Sequence, residues 1–122
     1  MVDFYPEWFR LFISKSDEKG VISKKIANLA QKYSGGSCLE IGPGLDPYSA
    51  IILARYFSSY TIIEKRKTEA RMPAGVRLVH DNFETHKFKQ IFDFIIASHV
   101  FYYFKDIDIA FDKMVGLLMP EQ

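Results

Sequence analysis

The chain lacks the residues that mark several specialised classes of protein. One of its 122 residues is cysteine, so no disulfide can form within it and a disulfide-stapled secreted scaffold is excluded. Cys38 stands beside apolar residues, the usual setting of a reduced, buried thiol. No apolar run approaches the roughly 20 residues of a membrane-spanning helix. Met1 to Glu7 shows no basic region leading into an apolar stretch, so no secretory leader is expected and the cytoplasm is the expected compartment. Neither sign of charge dominates: 16 basic residues face 15 acidic ones, for a net charge of +1. Nucleic-acid binding draws on a concentrated basic face. The compact basic cluster Lys65-Arg66-Lys67 reads instead as a solvated turn. Nucleic acid and membrane are not expected partners, and no metal site is expected. Repeats and low-complexity tracts are also missing.

What is present is an alternation of apolar patterns within one expected domain. Phe4, Tyr5, Trp8, Phe9, Leu11 and Phe12, with Pro6 suited to a first helical turn, predict a short aromatic helix over residues 4–14. Ile22, Ile26, Leu29, Ala30 and Tyr33 recur at helical spacing and predict a second helix, broken by Ser34-Gly35-Gly36-Ser37. Residues 1–36 are thus expected to be N-terminal helices and 37–122 an α/β core. Strands are predicted at Cys38–Ile41, Tyr60–Ile63, Val76–Val79 and Phe92–Ala97. The last is nearly all apolar, as for a strand covered on both faces. Asp46 and Pro47 suit the N-cap and first position of a helix running to about Phe57. A final helix is expected from Asp106, with Ile107, Ala110, Phe111, Met114, Val115 and Leu118 on one side. Strands separated by helical segments imply an α/β, Rossmann-like, doubly wound parallel sheet of about four strands.

Ligands of such sheets bind at the carboxyl ends of the strands. The first predicted strand ends in Glu40, Gly42 and Gly44, the second in Glu64, the third in Asp81, and the fourth in Ser98 and His99. Acidic or small polar residues therefore fall at the same end of every strand. A turn from strand to helix, passed closely by a ligand, needs glycine's freedom and lack of Cβ. Glu64 lies 22 residues beyond Gly42, near the spacing of about 20 for a carboxylate on ribose hydroxyls.

Two cofactor classes use this layout, and their charges separate them. A dinucleotide needs G-x-G-x-x-G and a helix N-terminus open to pyrophosphate. Here Pro47 holds the third glycine position, and Asp46 would repel a phosphate there. S-adenosylmethionine carries a sulfonium and an ammonium and no phosphate, which suits carboxylates at Glu40 and Asp46. The electrostatics favour the methyl donor over a dinucleotide oxidoreductase.

Leu39-Glu40-Ile41-Gly42-Pro43-Gly44 resembles the first motif of the class I S-adenosylmethionine-dependent methyltransferases. Phe92-Asp93-Phe94-Ile95-Ile96-Ala97-Ser98-His99-Val100 resembles the family's fourth-strand motif, and Phe101 to Ile107 the segment that follows it in small-molecule methyltransferases. The resemblance covers about residues 38–118 and implies strand order 3-2-1-4. It implies that Glu40, Gly42 and Gly44 border the methionine part of the cofactor, and Pro43 and Asp46 are also expected among the cofactor-binding residues. Glu64, with Lys65 beside it, would hold the ribose hydroxyls, and Asp81 with Asn82 or Phe83 would flank the adenine. Ser98 and His99 complete the expected cofactor set.

His99 is a weak candidate for a general base, its alternative being a hydrogen bond at the strand end. Tyr5, Tyr102 and Tyr103 are substrate-side candidates, and Tyr5, Trp8 and Phe9 would form a lid or simply pack. The expected reaction is methyl transfer to a small-molecule acceptor, with S-adenosylhomocysteine as product and catalysis by proximity and orientation. Two departures stand out. The motif's third glycine falls on Asp46, and the sequence reaches Gln122 without the three further strands of the family. A C-terminally truncated domain is therefore expected, its fourth strand an open edge for a homodimer or partner chain. The alternative expectation is a non-catalytic cofactor-binding or dimerising module, or half of a split enzyme.

Overall fold

The computed structural model describes residues 2–4, 11–14, 28, 31, 35–42, 48–67, 71–98 and 104–118. Six strands form one sheet: β1 (Val2–Phe4), β2 (Leu11–Ser14), β3 (Ser37–Ile41), β4 (Ser59–Glu64), β5 (Val76–His80) and β6 (Phe94–Ser98). Their spatial order is β1-β2-β6-β3-β4-β5. The four core strands β6-β3-β4-β5 are parallel throughout and stand in the expected order 3-2-1-4. All four were predicted to within two residues at either end. The shift of β6 from Phe92 to Phe94 has a local cause. The Phe92 N–H turns away to the Leu117 carbonyl at 2.8 Å, while Asp93 donates its N–H to the Ser37 carbonyl at 3.0 Å and accepts the Ser37 N–H on its Oδ2 at 2.8 Å. Gly36 permits that approach: its φ is +73°, and a Cβ there would lie 2.3 Å from Asp93 Oδ2.

The N-terminal expectation is corrected. Val2–Phe4 and Leu11–Ser14 are strands, not parts of an aromatic helix. β2 runs parallel to β6, with Phe12 opposite Ile96, and β1 pairs antiparallel with β2. The outer edge of β6 offers a full row of backbone partners, and Leu11-Phe12-Ile13 has strong β preference, so tertiary pairing overrides a helical pattern. The same pairing corrects the expected open edge: β2 occupies it. Residues 28 and 31 are helical, and the rest of the second predicted helix lies outside the described residues.

Each face of the sheet carries its own core. On one face Cys38, Tyr60, Ile62, Phe94 and Ile96 pack with Ala50, Leu53 and Phe57. Ala50 and Leu53 come from helix α1 (Tyr48–Leu53), and Phe57 follows the 3-10 turn Ala54–Tyr56. On the other face Leu39, Ile41, Ile63, Ile95 and Ala97 pack with Phe83 and Phe92 and with helix α2 (Ile107–Leu118). α2 buries Ala110, Met114 and Leu118, one residue per turn, as the period predicts. Its cap is Asp106, whose Oδ1 accepts the N–H groups of Asp108 and Ile109, both at 3.1 Å. Alternation along β3 and β4 thus aims Cys38, Glu40, Tyr60, Ile62 and Glu64 at the α1 face. Among the described residues no helix is long and apolar enough to cross a membrane.

Candidate functional site

The carboxyl ends of β3, β4 and β5 are tied side by side. The Gly42 N–H donates to the Ile63 carbonyl at 2.9 Å, and the Asp81 N–H donates to the Glu64 carbonyl at 3.2 Å. The parallel ladders therefore extend one residue past each strand and fix Gly42, Glu64 and Asp81 in a row. Gly42 is buried and has φ +64°, a left-handed conformation that explains glycine at this turn.

Glu40 and Glu64 are buried carboxylates on the α1 face, at 0% and 1% exposure. Taking a carboxylate out of water is costly unless partners replace the solvent. Tyr60 O–H donates to Glu40 Oε1 at 2.7 Å. Burial first, and then the Glu40 charge, push the Tyr60 hydroxyl well above its ordinary pKa, so it stays a donor. Burial and Glu40 likewise push the Cys38 thiol up, consistent with an unreactive core cysteine. Glu64 Oε2 accepts the Arg66 N–H at 2.9 Å and Arg66 Nε at 3.4 Å. Both carboxylates are thus held in fixed directions by their own strands' neighbours.

Asp81 is organised differently. Its Oδ2 lies 2.8 Å from His86 Nδ1, and its Oδ1 accepts the Asn82 N–H at 2.7 Å. The His86 contact first, then the Asn82 N–H, hold its carboxyl below the usual carboxylate range. Asn82 Oδ1 in turn accepts the Glu84 N–H at 2.9 Å, an Asx turn that reverses the chain. The Phe83 side chain faces the core. It is 0% exposed and packs against Phe88 and Phe104, with ring centroids at 5.7 and 5.6 Å. Its side chain anchors the turn to the α2-side core.

A row of strand-end carboxylates beside a positive-φ glycine thus closes one end of the 3-2-1-4 sheet. The methyltransferase-domain family matches residues 14–121. The chain belongs to that family. This is the class I S-adenosylmethionine-dependent group whose first-strand and fourth-strand motifs the sequence resembles. Two solved structures share the methyltransferase fold. One is the N-methyltransferase NodS from Bradyrhizobium japonicum WM9, with TM-score 0.67 and 20% identity over 85% of this chain. The other is the same protein in complex with S-adenosyl-L-homocysteine, with TM-score 0.68 and the same identity and coverage. The chain spans 65% and 60% of those two chains. No curated protein matches it.

Within this methyltransferase domain, Glu40, Gly42, Glu64, Asp81 and Asn82 meet at one end of the sheet as expected. Lys65 is beside them and exposed, its carbonyl 3.1 Å from His80 Nε2. Ser98 ends β6 at the same level. Pro43, Gly44, Asp46, His99, Tyr5, Trp8, Phe9, Tyr102 and Tyr103 lie outside the described residues. Sequence reasoning missed Tyr60, Arg66 and His86. Tyr60 was within reach, because strands of period two in neighbouring register put it on the same face as Glu40. Arg66 and His86 act through turn geometry, which leaves no periodic trace.

Proposed function

We propose that the chain binds S-adenosylmethionine at the Gly42–Glu64–Asp81 row and serves the donor side of methyl transfer to a small-molecule acceptor. The observation that carries this reading is the pair of ladder bonds, Gly42 N–H to Ile63 and Asp81 N–H to Glu64, which aligns the three positions. The residues suit the ligand's chemistry. Glu64 offers a buried, pre-oriented carboxylate to vicinal hydroxyls, where charge-assisted hydrogen bonds are strong. Glu40 sets a negative charge below the glycine turn, on the side where a sulfonium and an ammonium would lie. Gly42 keeps the approach free of a Cβ. Asp81 and Asn82 border the outer end, where the adenine would sit.

When bound, the cofactor supplies an already activated methyl group, so the protein's task is to orient donor and acceptor and exclude water. Ser98, at the end of β6, and His99, next in sequence, are candidates to meet the acceptor, with Tyr5, Tyr102 and Tyr103 as further substrate-side candidates. NodS is an N-methyltransferase by name, which supports a nitrogen acceptor. Calorimetric titration with S-adenosylmethionine and S-adenosylhomocysteine tests the reading. Saturable 1:1 binding is expected, weakened at least tenfold in Glu64→Gln with an unchanged unfolding midpoint. An equal loss of fold and binding would make Glu64 structural. Binding without turnover on any amine acceptor would favour the non-catalytic cofactor-binding module.

A further inference from the structure

A cavity lies away from the strand-end row. It has a volume of about 230 Å³ and is lined by residues of β4, β5 and the connection into β6. Thr61 and Arg77 are register partners on β4 and β5, and Val79 lies two residues further along β5. Thr61 is on the α2 face of the sheet and Glu64 on the opposite one, three residues or ~10 Å further along the strand. The cavity is therefore separate from the proposed cofactor site.

Its origin is topological. After Asp81 the chain returns across the α2 face as irregular backbone, not as a helix. α2 itself packs against β6, so over β4 and β5 that face is covered by the short segment His86–Phe92. The segment is firmly held: Lys113 Nζ donates to the carbonyls of Phe83 and His86, and its ammonium sits 5.5 Å from the Phe88 ring centroid. His86 is clamped to Asp81 at 2.8 Å.

Its lining has one sign of charge. Arg77, Lys87 and Lys89 stand around it, no acidic side chain lines it, and none of the three cations is in an ion pair among the described residues. Three unpaired cations together are a local concentration in a chain with net charge +1. The rest of the lining is mixed: Thr61, His86 and Gln90 are polar, while Val79, Phe88 and Phe92 are apolar, the two rings meeting edge-to-face at 5.8 Å. We propose that this cavity binds a small aromatic anion, its phosphate or carboxylate held by Arg77, Lys87 and Lys89 and its ring laid against Phe88. Its volume is below the ~300 Å³ at which drug-sized ligand pockets begin, so it suits one ring with one anionic group and not a whole nucleotide.

Phenyl phosphate, benzoate and inorganic phosphate, titrated separately by calorimetry into the intact chain, test this. Phenyl phosphate or benzoate should bind at one site and more tightly than inorganic phosphate, and the better of the two identifies the anion. The double substitution K87Q/K89Q should weaken that binding at least ~tenfold, as expected for lost charge-assisted hydrogen bonds. It should leave S-adenosylhomocysteine binding unchanged, so failure here and failure of the cofactor reading are distinguishable. Val79→Phe fills the cavity without changing charge and should abolish aromatic-anion binding. Should that variant not fold, K87Q/K89Q decides alone. The proposal is overturned if neither aromatic anion binds more tightly than inorganic phosphate, or if K87Q/K89Q leaves binding intact. Displacement of the bound anion by a short DNA duplex at equal charge concentration would also overturn it, by revealing a diffuse polyanion surface.

Discussion

Tyr60→Phe removes one oxygen and tests how the buried Glu40 is held. The phenol is 2% exposed and its hydroxyl lies 2.7 Å from Glu40 Oε1. The ring would remain, so its tilted contact with Phe57 at 6.0 Å persists and no apolar packing is lost. What is lost is a hydrogen bond to a carboxylate that is 0% exposed, where water does not readily replace the donor. Bonds of that kind contribute about 1.5–3 kcal/mol, which is roughly a 10- to 150-fold change in the unfolding equilibrium. Urea denaturation followed by circular dichroism should show a lower midpoint with an unchanged slope, because the surface exposed on unfolding is the same. Pairing it with Glu40→Gln in a double-mutant cycle should give a coupling of about 1 kcal/mol or more. A Tyr60→Phe midpoint within experimental error of the parent would refute the reasoning and remove Tyr60 from the support of Glu40.

Other perturbations probe neighbouring parts of the account. Gly42→Ala forces a Cβ into a φ of +64° and should cost about 1–2 kcal/mol by the same urea assay, with S-adenosylhomocysteine affinity falling further than stability alone explains. Asp106→Ala removes the cap of α2 and should cost about 1 kcal/mol while leaving cofactor affinity unchanged in calorimetry. The Cys38 and Tyr60 pKa values are raised by folding, so their neutral forms stabilise the native state below the unfolded values of about 8.5 and 10. Stability should therefore fall as pH climbs past those values, and thermal melts of Tyr60→Phe should show a shallower alkaline loss. Asp81 has the opposite sign: its lowered pKa gives a contribution present above about 3.9 and lost as pH falls through its folded value. Asp81→Asn should flatten the acid limb of the melting curve.

The core strands were legible because buried parallel strands leave short apolar runs, and Cys38–Ile41, Tyr60–Ile63 and Phe94–Ala97 have little else to be. The site row was legible for a related reason: acidic residues closing apolar strands mark the carboxyl edge of the sheet. Leu11–Ser14 was not, because its strand state depends on a partner edge more than 80 residues away, at Phe94–Ser98. Local spacing of aromatics carries no information about that edge. The inward direction of the Phe83 ring was not legible for a similar reason, since only the packed turn from Asn82 to His86 sets it. The ladder bonds that align Gly42, Glu64 and Asp81 are likewise a property of register, and no single segment encodes them.

The central claim is that a methyl donor lies across those three strand ends. Backbone amide shifts of the isotopically labelled chain, recorded during titration with S-adenosylhomocysteine, locate the ligand residue by residue. The account predicts saturable shifts that are largest at Gly42, Glu64, Asp81 and Asn82, with Ser37, Ser59, Val76 and Phe94 at the opposite strand ends nearly unmoved. Shifts centred at that opposite end, or no saturable shifts at millimolar ligand, would contradict it.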